Sequence, residues 1–313
     1  MQHRSEAVTF RAGESTLAGT LVLPDANDRL PWVLLLPSWL ARDRDGAWDR
    51  ARHPGWFGER GGRDPGGLLG RLAAALAERG VASFRWDKRE WAATDLFTLI
   101  DDARDAIGAL RSRPELDLRR TGAIGHGEGA GIALSVAIGD PAIGALTLIG
   151  ASARSFRDVL RRGVAERERR GTDRDHALIA ALDRNAEELI ERADRREPAA
   201  ELRVGSDAIT LNLAALQQAF RTPPLALATM LHRSVMLVHG TDDAWADPAE
   251  GRLLQVTLRT AGDQPRLDVI AGAGHDLAEA DDARIGEIAA DLAARLVPRE
   301  LPPVLLAIED MNR

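Results

Sequence analysis

The stretch Thr121-Gly-Ala-Ile-Gly-His-Gly-Glu-Gly-Ala-Gly-Ile-Ala-Leu-Ser-Val-Ala137 decides how this chain is read. Residues 121–125 have the make-up of a buried strand end, and residues 129–137 are small and apolar, as a helix packed closely on such a strand requires. Between them Gly125, Gly127 and Gly129 alternate with His126 and Glu128. A strand that passes into a helix through so short a turn needs backbone conformations that glycine tolerates. Gly127-x-Gly129-x-Gly131 is spaced G-x-G-x-G and not the G-x-G-x-x-G of a dinucleotide turn, so close helix packing accounts better for these glycines. The middle position, Gly127, offers no side chain for chemistry.

Working outward, Ala7–Phe10 and Leu17–Leu23 read as a hairpin closed by Pro24. Trp32-Val-Leu-Leu-Leu36 is a continuous apolar run, as expected of a strand covered on both faces. Further strands are expected at Val81–Arg85, Ala145–Gly150, Ser234–His239 and Arg266–Ile270, alternating with helices at 68–77, 96–111, 129–138, 248–260 and 281–296. That alternation predicts an α/β fold with a doubly wound, mostly parallel sheet. Residues 151–233 break it, reading almost wholly as helix (154–170, 173–195, 211–220 and 224–231). We therefore divide the chain into a core, 1–150 and 234–313, and an inserted helical lid, 151–233; a bracing subdomain is the plainer alternative. The tail Leu301-Pro-Pro-Val-Leu-Leu-Ala-Ile308 reads as too short and Pro-broken for a helix of its own. It is expected to pack on the body or on another subunit, which leaves a homo-oligomer open.

Composition narrows the function. The chain has 313 residues, 45% of them hydrophobic and 28% charged, with a formal charge of -7. An acidic balance, with basic runs such as Arg167-Glu168-Arg169-Arg170 interrupted by acid, argues against a nucleic-acid footprint. Few lysines beside many Arg and Ala match high-GC bacterial coding and carry no functional meaning. The absence of cysteine excludes disulfides, thiolate metal sites and a cysteine nucleophile. No His pair or His/acid cluster has metal spacing, so no metal and no cofactor is expected. The Gly-rich segment 61–70 lacks both a phosphate-loop signature and a preceding strand. With no signal-peptide core and no apolar run near 18 residues, a cytoplasmic protein without membrane contact is expected.

Several motifs in order resemble the α/β-hydrolases, in particular the branch of acyl-peptidases and dienelactone-hydrolase-like serine esterases. The resemblance runs over nearly the whole chain. It rests on Leu17-Ala-Gly-Thr-Leu-Val-Leu-Pro24, Ala41-Arg-Asp-Arg-Asp-Gly46, Phe84-Arg-Trp-Asp-Lys-Arg89 (followed by Glu90 where glycine is usual), Val238-His-Gly-Thr-Asp-Asp243 and Gly272-Ala-Gly-His275. Residues 125–129 then resemble the nucleophile elbow G-x-S-x-G with its serine replaced by Gly127. The resemblance implies His275 as the base and Asp243 as its orienting acid, with Asp242 the competing acid. It makes the Glu128 N–H one oxyanion donor and sets His126 inside the elbow, where its ring helps pack the turn. The second oxyanion segment also departs: Pro37-Ser38-Trp39-Leu40 stands where relatives carry His-Gly and small residues. Trp39 either walls the pocket or fills core volume, and its N–H is a second candidate donor. Trp48, Trp56, Trp86 and Trp91 are further candidates for an apolar pocket.

Three readings stay open. The chain is an enzyme whose His275–Asp243 dyad performs non-covalent general acid/base chemistry (hydrolysis, cyclisation, elimination or C–C cleavage) on a small apolar or carbonyl-bearing molecule. Or it is a non-catalytic protein that binds a ligand or partner. Or it is a serine esterase inactivated by substitution at Gly127.

Overall fold

The computed structural model describes residues 2–39, 41, 43–47, 67–89, 94–162 and 177–311. Trp48, Trp56, Trp91, Glu90, the Gly-rich residues 61–66 and residues 163–176, on which parts of two expected helices fall, lie outside them.

Eight strands form one sheet: β1 (His3–Ala12), β2 (Ser15–Pro24), β3 (Leu30–Leu36), β4 (Ala82–Trp86), β5 (Leu116–His126), β6 (Ile143–Ile149), β9 (Ser234–Gly240) and β10 (Arg266–Ile270). Their order is β1-β2-β4-β3-β5-β6-β9-β10. β2 pairs antiparallel with both β1 and β4, and every later pairing is parallel. The expected doubly wound, mostly parallel α/β architecture is what the chain adopts.

Helices cover both faces, which is why a central strand such as β3 is apolar throughout. On one face α1 (Leu68–Ala77) and α9 (Asp282–Arg295) bury Leu72, Leu76, Ile288 and Leu292 against Val33, Leu35, Ile124 and Val238. On the other, α2 (Leu96–Leu110), α3 (Glu128–Gly139) and α8 (Pro248–Thr260) cover Leu34, Leu36, Leu146 and Leu237. The starts of these helices are set by local chemistry. Asp95, Asp247 and Asp281 accept from the backbone N–H groups of Thr98, Ala249 and Arg284, and Pro248 occupies a first-turn position.

Residues between β6 and β9 share a hydrophobic cluster of their own. Residues 156–162 are helical, followed by α4 (Ala177–Arg184), α5 (Ala186–Asp194), α6 (Leu213–Arg221) and α7 (Pro224–Ala228). Leu178, Leu182, Leu189, Ile190, Leu202 and Phe220 are buried together there. The all-helical expectation fails at β7 (Ala199–Val204) and β8 (Asp207–Asn212), an antiparallel hairpin. Its cause is a period of two: Ala200, Leu202 and Val204 are buried while Glu201 and Arg203 are exposed, and Gly205 turns the chain at φ 63°.

The tail corrects a second expectation. Pro303–Met311 is a helix, α10. Proline at the first helical position costs nothing, because its missing N–H would have no partner there. Leu301 and Leu305 bury against Leu118 and Ala142 of the body. Among the described residues no helix is long and apolar enough to cross a membrane.

Candidate active site

The carboxyl ends of five adjacent strands converge on one point. β5 ends at His126 and hands over to α3 through Gly127, whose backbone sits at φ 55° and ψ -117°. Ser38 follows β3, Gly150 follows β6, Asp243 follows β9 and His275 follows β10. In an open parallel sheet this edge is where functional groups gather.

Asp243 is buried, and its carboxylate is fully used. Oδ1 accepts from the N–H groups of Trp245 (2.7 Å) and Ala246 (2.9 Å), and Oδ2 accepts from His275 Nδ1–H at 2.9 Å. Asp242, the competing acid, is exposed and takes the Thr241 hydroxyl instead. With Nδ1 donating, Nε2 of His275 is the free basic nitrogen. Burial of His275 opposes its charged form, but the Asp243 carboxylate outweighs that and holds the imidazole above its ordinary pKa of 6.5. Burial likewise disfavours the Asp243 anion, yet the His275 ring and the Ala246 amide keep it below the usual carboxylate range. The ring passes close to Gly150: a Cβ there would sit 2.8 Å from His275 Nδ1 and Cε1.

His126, expected to pack the turn, does not reach the cavity. It is fully buried behind the dyad, and its Nε2–H donates to the His275 carbonyl at 2.9 Å. Burial and then the neighbouring His275 push its pKa down to about 3, so it is a neutral strut for the base-bearing loop.

Opposite Nε2, where an elbow side chain would project, stands Ser38. A Cβ built on Gly127 would lie 2.3 Å from Ser38 Oγ and 2.8 Å from His275 Nε2, and Ser38 Oγ itself is 3.5 Å from Nε2. The Ser38 segment is held by Lys88. Its ammonium donates to the carbonyls of Ser38 (2.8 Å) and Trp39 (2.7 Å) and pairs with Glu128 Oε2 at 3.1 Å, using all three protons. Sequence reasoning passes over Lys88, yet a signal exists: among the 41 Lys and Arg residues it is the only lysine. A compact ammonium can meet three acceptors converging on one point, which the flat fork of arginine cannot.

A cavity of about 170 Å³ opens from this point. Ser38, Trp39, Gly127, Glu128 and His275 form its floor, and Phe156, Leu211 and Leu216 of the insertion form its far wall. Trp39 packs edge-on against Phe156 and Trp245, with centroids 6.2 and 6.3 Å apart, so the aromatic lining comes from these rings. Trp86 contributes nothing to it; it is buried in the core against Phe10 and Phe84. Among the described residues no three His, Asp or Glu side chains come together as a metal-holding group.

No protein-family model and no curated protein sequence matches the chain. Solved structures do. The esterase domain of a Rhodothermus marinus protein superposes with TM-score 0.61 at 19% identity, over 95% of this chain and 100% of the other. EstE1, a thermophilic carboxylesterase cloned from a metagenomic library, gives 0.64 at 17% identity, over 94% and 90%. The Pyrococcus horikoshii acylaminoacyl peptidase gives 0.61 at 10% identity, over 99% of this chain and 44% of its own. The chain has the α/β-hydrolase fold.

Proposed function

We propose that this protein is an acyl hydrolase in which His275 is the general base and Asp243 its orienting acid. Its substrate is a small, largely apolar molecule carrying an ester-type carbonyl. The observation that carries this reading is the dyad itself: a buried carboxylate fixing the imidazole tautomer, with Nε2 turned toward an apolar cavity. A buried carboxylate of this kind is expensive to maintain without a task. The insertion acts as a lid, since Phe156, Leu211 and Leu216 complete the cavity from above. The Glu128 amide, at the start of α3, and the Trp39 amide are the candidate oxyanion donors.

The test is turnover of p-nitrophenyl esters of graded acyl length. His275→Ala should lower kcat/KM by roughly 10²–10⁴-fold. Because the base works only when neutral, activity should fall as pH drops through the raised His275 pKa, placing the acid limb above 6.5. Asp243→Asn should move that limb to lower pH. Ligand binding without turnover returns the non-catalytic reading, and turnover indifferent to His275→Ala removes His275 as the base.

A further inference from the structure

We propose that the nucleophile is Ser38, supplied by the loop after β3 instead of the elbow. The inference rests on His275 being the base. Three observations carry it. Ser38 Oγ takes up the space where an elbow side chain would begin, 2.3 Å from the Cβ that Gly127 lacks. The same oxygen is 3.5 Å from His275 Nε2, long for a hydrogen bond but of the looseness common between a base and its nucleophile before substrate binds. And its carbonyl and the next one along the chain are held by the chain's only lysine, which ties them to Glu128 of the elbow helix. The departures at 38 and 127 are therefore one exchange: the hydroxyl has changed strands while keeping its place beside the base.

The chemistry balances. Ser38 Oγ attacks the ester carbonyl carbon while its proton passes to His275 Nε2, and the carbonyl π pair moves to oxygen. The amino-terminal turn of α3, whose first amides have no partner inside the helix, lines the same cavity and stabilises that charge. Collapse breaks the bond to the leaving alcohol, which takes the proton from Nε2. Water, deprotonated by His275, then cleaves the acyl-serine to acid and restores Ser38.

The test is reaction of the whole protein with a fluorophosphonate, read by intact mass and peptide mapping, beside the ester assay. Wild type should gain one phosphonyl group on Ser38. Ser38→Ala and His275→Ala should gain none, and Ser38→Ala should lose about 10³-fold or more in ester turnover while melting normally. Combining Ser38→Gly with Gly127→Ser should move the adduct to position 127. Since the chain has no cysteine, Ser38→Cys adds a single thiol, whose alkylation at pH 6 should slow about tenfold or more when His275→Ala is added. An adduct on Ser152, which shares the cavity wall, overturns the proposal. So does His275-dependent turnover that Ser38→Ala leaves within about threefold, an outcome that keeps the base but makes water its direct partner. Absence of both turnover and adduct would instead remove the general-base reading itself.

Discussion

At Gly127 two constraints act on one atom. The backbone lies in the left-handed region, φ 55°, and the volume beyond Cα is taken by Ser38 Oγ. Restoring a side chain by Gly127→Ser alone should therefore destabilise the protein by about 1–3 kcal/mol, through strain and overpacking together. Urea unfolding measures this, and adding Ser38→Gly should recover most of the loss. If Gly127→Ser alone were neutral, Ser38 would not be fixed where the structure puts it. Much of the dyad is legible in the residues, because Gly272-Ala-Gly-His275 and Gly240-Thr-Asp-Asp243 hold their order and spacing. Choosing between Asp242 and Asp243 needs burial, which adjacent positions in a sequence do not reveal. Ser38 and Lys88 are harder still, since their meaning comes from β3, β4 and β5 meeting side by side across long sequence separations.

Between elements, the two charged motifs turn out to lock to each other. Arg44 pairs with Asp87 through both carboxylate oxygens, and Arg85 Nε meets Asp45 at 2.5 Å, so the loop after β3 is clamped to the end of β4. One turn further, Arg89 forks onto Asp102 of α2 at 2.7 and 2.8 Å and also reaches Ser15 and the Ala12 carbonyl. Asp102 is only 2% exposed. Asp102→Ala should cost about 3 kcal/mol by leaving the guanidinium half-buried without its anion. Asp102→Asn should cost less, and equal losses for the two would mean that packing and not charge matters here. Motif resemblance finds these segments but not their work, which is structural bracing of the site's floor. The elements easiest to read were the long periodic ones, such as α2 and α8. The β7–β8 hairpin was masked by flanking Arg, Glu and Ala that favour helix, although Gly205-Ser206 between two alternating runs is a turn signal.

For the molecule as a whole, the interior histidines set its response to acid. His126 is fully buried with a pKa near 3, and burial lowers His239 as well. The unfolded chain titrates these rings near 6.5, so below that pH it binds protons the folded protein refuses. Their share of the stability should therefore be level above about pH 7 and decline as pH falls from 6.5 toward 3, whereas His275, with its raised pKa, acts in the opposite sense: its share is full below 6.5 and is lost as pH rises through that raised value. The His126 share should reach about 2–3 kcal/mol by pH 4.5, at about 1.36 kcal/mol per unit. Denaturant unfolding at pH 7.5 and 4.5 measures this. His126→Gln, which keeps a donor for the His275 carbonyl, should flatten the dependence, and an unchanged slope would assign it to other groups.

The contact between Ser38 and position 127 also bears on descent. Two single substitutions separate this pairing from a serine on the elbow, and each intermediate is handicapped: one has two hydroxyls contending for a single space, the other has none. A lineage that has crossed is held on its side as by a ratchet. Among its descendants the residue at either position should foretell the other.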